Sequence, residues 1–287
     1  MKQSMRILLT IAIVIVAIIC GRWVWDHYLY SPWTRDGRVN AHVITIAPDV
    51  SGFVTDVNVK DNQQVQKGDE LFKVDATRYE VKIHQLEATV ENKLYSWELA
   101  KHRYERRKNL PSKQSISTED LETARINTNI AKANYELAKA ELEEAKLNLT
   151  RTSVIAPEDG VVINLTLRQG NYVNQGTSTL ALIKKNSFYV TGYFEETKLP
   201  LVHVGQKAEV TLMNSNKPLE GHVVSVGRAI ANSNTNANNQ LLPQVQQTFN
   251  WVRLAQRIPV DITLDDIKQQ EQLSAGMTVS IKLIDDK

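Results

Sequence analysis

The spacing of apolar positions changes along this chain, and each spacing predicts a different element. Residues 7–24 (ILLTIAIVIVAIICGRWV) are nearly all apolar. As a helix this run would measure about 27 Å, enough to cross the hydrocarbon core of a bilayer. Further on, apolar residues alternate with period two, as in Val161, Ile163, Leu165 and Leu167. Polar turns such as Lys60-Asp61-Asn62 and Arg168-Gln169-Gly170 interrupt them, which predicts short antiparallel strands. Between Ala76 and Arg151 there is no glycine, and Ala, Glu, Lys and Leu dominate, a composition that favours helix.

The strand-like regions contain a repeat. Val50-Ser51-Gly52-Phe53-Val54 through Val65-Gln66-Lys67-Gly68 recurs as Glu158-Asp159-Gly160-Val161-Val162 through Val173-Asn174-Gln175-Gly176. Gly52 and Gly160 stand 108 positions apart, and so do Gly68 and Gly176. Each copy has one apolar face and too few strands to be stable alone, so the two are expected to pack face to face as a small β-sandwich. The glycines are read as turn residues, because no helix start follows them to make a phosphate loop.

The helical stretch divides in two. Leu121, Ala124, Thr128, Ala131, Tyr135, Ala138, Leu142, Ala145 and Leu149 follow steps of three and four, the seam of a coiled coil. Ile83, Leu86, Val90, Leu94, Trp97 and Tyr104 form a similar series, with Lys101 interrupting. Between them lies Asn109-Leu110-Pro111-Ser112-Lys113-Gln114-Ser115, where Pro111 cannot continue a helix and disfavours helical geometry at Leu110. Ser117 is placed to cap the second helix, with Glu119 and Asp120 complementing its dipole. Two helices of roughly 33 residues would each run about 50 Å, giving a long antiparallel hairpin whose exposed tip is suited to a partner.

After Leu182, strand-like segments at 188–194, 207–212, 221–226, 257–262 and 277–283 suggest a small β-barrel. Its first strand is expected from Arg38 to Ile46. The segment Ala231–Gln240 has neither charge nor apolar bulk and reads as a loop.

Composition narrows the function. With 34 Lys and Arg against 32 acidic residues the net charge is +2, so there is no overall basic field and nucleic acid is not an expected partner. A single cysteine, Cys20, allows neither a disulfide framework nor a thiolate cluster. It falls inside the apolar run and reads as a membrane-buried residue. Lys2 and Arg6 precede that run, which keeps the N-terminus cytoplasmic and sends the bulk of the chain across the membrane. Trp23, Trp25, Tyr28 and Tyr30 would form an interfacial belt. No small-x-small cleavage site is present around Ala17-Ile18-Ile19-Cys20, which favours an uncleaved anchor over a signal peptide.

Anchor, split β repeat, hairpin insertion and trailing barrel together resemble the membrane fusion proteins, HlyD-like periplasmic adaptors, over essentially the whole chain. The most specific part is APDVSGFVTDVNVKDNQQVQKGDELFKVD (47–75), matched by VIAPEDGVVINLTLRQGNYVNQGTSTLALI (154–183). This pair looks like a lipoyl or biotinyl module cut at its central turn. SPWTRDGRVNAHV (31–43) and TFNWVRLAQRIPVDI (248–262) look like the adaptor subunit of the aromatic carboxylic acid (p-hydroxybenzoic acid) efflux pump. Adaptors of major-facilitator-type multidrug pumps are close behind.

The resemblance implies an elongated multidomain α+β architecture. Its expected parts are a cytoplasmic N-terminus (1–6), a transmembrane anchor (7–25), a membrane-proximal β-barrel (38–47 and 186–287), a lipoyl-like β-sandwich (48–76 and 151–185) and a coiled-coil α-hairpin (77–150). It further implies a homo-oligomer in the bacterial inner membrane, single-pass, that joins an inner-membrane transporter to a TolC-like outer-membrane channel. In the family, channel recognition is associated with an Arg-Leu, Leu, Ser pattern at the tip, which maps onto Arg106, Leu110 and Ser117. Arg107 stands where the family has a Leu.

A true carrier presents a modified lysine at the turn between its halves, but here Lys73-Val74-Asp75-Ala76 runs straight into the helical stretch, so no covalent cofactor is expected. The histidines at 27, 42, 84, 102, 203 and 222 lack paired ligand spacing and the methionines form no stripe, so no metal is expected. No Ser, His and Asp set has a context that would activate a nucleophile, so the chain is not expected to be an enzyme. An adaptor for peptide or protein secretion is the alternative function; its hairpin would be much longer.

Overall fold

The computed structural model describes residues 2–29, 31–109, 118–215, 217–230, 235–237, 243–245, 255–266 and 273–284. Side chains are described for 9–22 of the first helix and not for 235–237 and 243–245. The chain divides into two compact units, Val43–Lys185 and the combination of Met1–His42 with Asn186–Lys287.

The chain opens with helix α1 (Lys2–Leu29) and strand β1 (Trp33–Asn40). Leu9, Ile11 and every apolar position from Ile13 to Val16 are exposed. At about 100° per residue, four consecutive positions cover most of a helix's circumference, so this stretch of α1 is apolar on all sides. Among the described residues no helix is long and apolar enough to cross a membrane. The anchor expected at 7–25 extends beyond the side chains described for α1.

Unit 43–185 starts with β2 (Val43–Ile46), β3 (Gly52–Val57), β4 (Gln64–Val65) and β5 (Glu70–Val74). Helices α2 (Thr77–Lys108) and α3 (Thr118–Thr150) follow, then β6 (Ser153–Ile155), β7 (Gly160–Ile163), β8 (Tyr172–Val173) and β9 (Leu180–Lys184). The strands form two four-stranded sheets, β2-β9-β7-β4 and β6-β5-β3-β8. Exchanging the two repeat copies converts one order into the other, so the sandwich has an internal twofold.

Each sheet therefore holds strands of both copies, which corrects the expectation of one sheet per copy. Val65 of the first copy pairs with Gly160 of the second, and Gly52 of the first pairs with Val173 of the second. The backbone repeats the exchange: the Asn62 amide donates to the Val162 carbonyl and the Gly170 amide to that of Val54, both at 2.8 Å. A two-residue strand such as β4 or β8 is too short to stand alone, and crossing to the other copy supplies its ladder. Val54 and Val162, equivalent positions, are both buried in the shared core with Leu71, Phe72 and Leu182.

The other unit continues with β10 (Tyr189–Glu195), a 3-10 turn (Glu196–Leu201), β11 (Lys207–Leu212), β12 (Leu219–Val226), β13 (Thr235–Ala237), β14 (Pro243–Val245), β15 (Arg257–Leu264) and β16 (Thr278–Ile284). Six strands close into a barrel in the order β1-β10-β15-β12-β11-β16. Its alternating inward residues, among them Val39, Val190, Phe194, Val210, Val223, Ile262 and Ile281, fill the interior.

Two boundaries differ from the sequence expectation. The first barrel strand is Trp33–Asn40, not Arg38–Ile46, and Val43–Ile46 belongs to the sandwich, where it pairs with Leu180–Ile183. Backbone pairing decides this, since alternation looks the same in either sheet. The segment read as a loop, Ala231–Gln240, contains β13, paired with β14 in a separate ribbon.

Candidate functional site

The hairpin is rooted where the chain leaves and re-enters the sandwich. The Val74 amide donates to the Thr152 carbonyl at 2.8 Å, joining the strand before α2 to the short link after α3. Asp75 Oδ1 accepts from the Thr77 amide at 2.9 Å and its hydroxyl at 2.7 Å, supplying an acceptor to the free amides of the first turn. These bonds, the hydroxyl's first, hold the Asp75 carboxyl below the usual carboxylate range. Tyr79 donates its hydroxyl proton to the Ser51 carbonyl at 2.7 Å, and Arg151 pairs with Asp49.

Above this root runs the seam. Leu142 is buried with Ile83, Leu86 and Ala145, and Val90 and Leu149 pack at the margin. Higher up, Tyr135 is half-buried and stacks on Trp97 with ring centroids 5.6 Å apart. Lys132 lies 5.8 Å from the Trp97 ring. Further out, the Thr128 hydroxyl, bonded to the Ala124 carbonyl of its own helix at 2.8 Å, also reaches the Ala100 carbonyl across the seam at 3.2 Å. Ala100 thus occupies the seam where sequence spacing pointed to Lys101, which is exposed. Near the distal end, buried Ala124 and half-buried Leu121 line α3, and the Arg107 guanidinium donates to the Asp120 carbonyl at 3.3 Å.

Of the expected tip residues, Arg106 is exposed in the last turn of α2. Leu110 and Ser117 lie outside the described residues. The four turn glycines fall into two pairs. Gly68 and Gly176 adopt positive φ, 94° and 75°, a conformation that favours glycine. Gly52 and Gly160 are buried at the first positions of β3 and β7, and a Cβ at Gly160 would collide with the Ile183 carbonyl oxygen. Lys73 lies within strand β5, exposed and 3.3 Å from Glu70. Among the described residues no three His, Cys, Asp or Glu side chains are grouped to hold a metal ion.

The hairpin carries a second apolar series beside its seam. Ile126, Ile130, Ala133, Leu137, Ala140, Glu144 and Leu147 also follow steps of four and three, offset by two from the seam. They therefore lie on the side of α3 turned away from α2. Ile126, Ile130, Leu137 and Leu147 are 46%, 53%, 60% and 48% exposed. The signal was in the sequence, masked by the stronger series beside it.

Comparisons with known proteins match this architecture part by part. Residues 42–185 match the RND MFP, barrel-sandwich hybrid domain, and residues 187–284 match the AAEA-like beta-barrel domain. The chain is 40% identical to the uncharacterized protein YdhJ of Escherichia coli (strain K12) over 281 residues, 97% of this chain and 98% of YdhJ. Among solved structures, the membrane fusion protein Spr0693 from Streptococcus pneumoniae R6 has the same fold. It superposes with a TM-score of 0.65 at 15% identity, covering 90% of this chain and 100% of that one. A MacA-MexA chimera containing the Pseudomonas aeruginosa MexA alpha-hairpin domain superposes with a TM-score of 0.61 at 21% identity, covering 88% of this chain and 81% of that one. The chain belongs to the RND-type membrane fusion proteins, the non-enzymatic periplasmic adaptors of efflux pumps.

Proposed function

We propose that this adaptor is held in the bacterial inner membrane by α1, with its N-terminus cytoplasmic and its bulk periplasmic. In this reading it joins an inner-membrane transporter to a TolC-like outer-membrane channel, for export of aromatic carboxylic acids or similar small toxic compounds. The observation that carries the reading is the hairpin: two helices of 32 and 33 residues, inserted into a β-sandwich whose two halves interlock at their base. A paired-helix arm of this length suits docking to a partner. The anchor is supported by the all-round apolar surface of the central stretch of α1 and by Lys2 and Arg6 ahead of the apolar run.

Docking to the channel is assigned to the tip, through Arg106, Leu110 and Ser117. Arginine can form paired hydrogen bonds with carboxylates or carbonyls of a partner. The outward apolar stripe on α3 supports assembly as a homo-oligomer, because α3 then buries both of its apolar faces. The aromatic-acid substrate is supported by the resemblance carried by residues 31–43 and 248–262.

Deletion of the protein tests the substrate. Cells lacking it should become sensitive to aromatic carboxylates and recover when it is resupplied; unchanged sensitivity across such a panel removes this substrate class. Crosslinking from an Arg106→Cys variant tests docking. It should capture an outer-membrane channel, and capture of inner-membrane components alone would overturn the assignment of the tip.

A further inference from the structure

We propose that the barrel end which receives the chain from α1 binds the phosphate headgroup of an anionic phospholipid. The proposal rests on reading α1 as a membrane anchor. Strand β1 starts at Trp33, four positions after α1 ends at Leu29, and Glu195 at the end of β10 faces Arg257 at the start of β15. Antiparallel register therefore gathers Trp33, the 3-10 turn Glu196–Leu201 and Arg257 at this same end.

There they enclose a cleft of about 890 Å3, lined by Trp33, Arg35, Asp36, Glu195, Lys198 and Arg257 among others. Lys198 Nζ lies 5.0 Å from the centroid of the Trp33 ring, and the Arg35 guanidinium carbon lies 5.4 Å from it. Lys198 also donates to the Trp33 carbonyl at 3.4 Å. Arg257 is paired with Asp36, whereas among the described residues neither Arg35 nor Lys198 meets a carboxylate. An aromatic face holds a cation without cancelling its charge. Glu195 is the second carboxylate, so three cations face two anions and the uncompensated charge is concentrated around Trp33.

Position selects the occupant. The 28 residues of α1 would span about 42 Å, the thickness of a bilayer including both headgroup layers. Its end at Leu29 would then lie at the level of the outer headgroups. The four steps from Leu29 to Trp33 reach at most about 14 Å. A tryptophan flanked by Lys and Arg at that depth has the character of an interfacial phosphate site.

The test uses the full-length protein in detergent, offered phosphatidylglycerol or phosphatidylcholine, with bound lipid counted by native mass spectrometry. The wild type should retain phosphatidylglycerol about tenfold over phosphatidylcholine. Arg35→Gln combined with Lys198→Gln should bring the two lipids to parity, each single change should have an intermediate effect, and Lys198→Arg should keep the preference. Equal retention of both lipids by the wild type, or unchanged preference in the double variant, overturns the proposal. So does release of phosphatidylglycerol by an equal concentration of inorganic phosphate, which would assign the cleft to a soluble anion. Alkaline extraction of membranes separates the two ideas. Wild-type protein found in the soluble fraction overturns the anchor and this site with it, whereas a membrane-integral protein indifferent to lipid charge overturns the site alone.

Discussion

The sandwich and the hairpin arise from one stretch of chain, 43–185, yet they are held together by different means. The sandwich is interlocked by backbone: each repeat copy sends a short strand into the sheet of the other, and equivalent amides and carbonyls bond across the internal twofold. The hairpin has no ladder between its arms. It depends on one seam of side chains, which changes character along its length. Near the root the seam is apolar and buried around Leu142; beyond Trp97 it consists of small residues, a ring stack and single hydrogen bonds. A structure held by backbone tolerates side-chain change and fails where backbone must approach backbone. One held by side chains fails at a single well-chosen residue.

Substitution at the root of the seam should have the largest effect. Leu142→Asp removes a buried leucine and places a carboxylate between helices, at a cost of about 4 kcal/mol. Loss of helical circular dichroism with the β signal retained is expected, together with loss of export. Normal export by this variant would mean that the paired arm is not needed. In the sandwich the corresponding weak point is a backbone approach. Gly160→Val should cost about 3 kcal/mol through collision with the Ile183 carbonyl, and thermal unfolding should show the loss across the whole unit rather than in the hairpin alone.

Smaller changes sharpen the contrast. Thr128→Val deletes a hydroxyl shared between the Ala124 carbonyl of α3 and the Ala100 carbonyl of α2 and should cost about 1 kcal/mol, read as faster amide exchange in the distal hairpin while the root stays protected. The smallest effect concerns acid. A hydrogen bond from Ser153, followed by Lys73 and Asn58, holds the Glu70 carboxyl below its ordinary range against the opposing effect of burial. A depressed carboxyl pKa contributes stability that is present above its unfolded value and is lost as pH falls through the folded one. Ser153→Ala should move the Glu70 titration upward by NMR and shrink the acid-side loss, which would then be complete at higher pH. An unmoved titration would remove Ser153 as the cause.

Much of the architecture was legible because its signals are local or repeated. The 108-residue offset made the split visible, and the steps of three and four on α3 marked the seam. The seam on α2 was less clear. Steps of three and four admit either Ala100 or Lys101 near its distal end, and only the fold shows that Ala100 takes the inner position while Lys101 extends into solvent. The outward stripe of Ile126, Ile130, Leu137 and Leu147 was equally readable but stood beside a longer series. The barrel cleft was not readable at all: Trp33, Lys198 and Arg257 are separated by more than a hundred residues in one case and more than fifty in the other.

The amino-acid sequence by itself determined where the long helices and most of the strands lie, that a β module is written in two pieces, and that a helical arm lies between them. These are properties of periodicity and turn chemistry, which act over a few residues. Tertiary structure alone decided that the two copies exchange strands, that Val43–Ile46 joins the sandwich rather than the barrel, and that Trp33 meets Lys198. A strand with alternating apolar residues can satisfy its backbone against many neighbours. The choice among them is made only when the whole core closes and every buried amide must find its carbonyl.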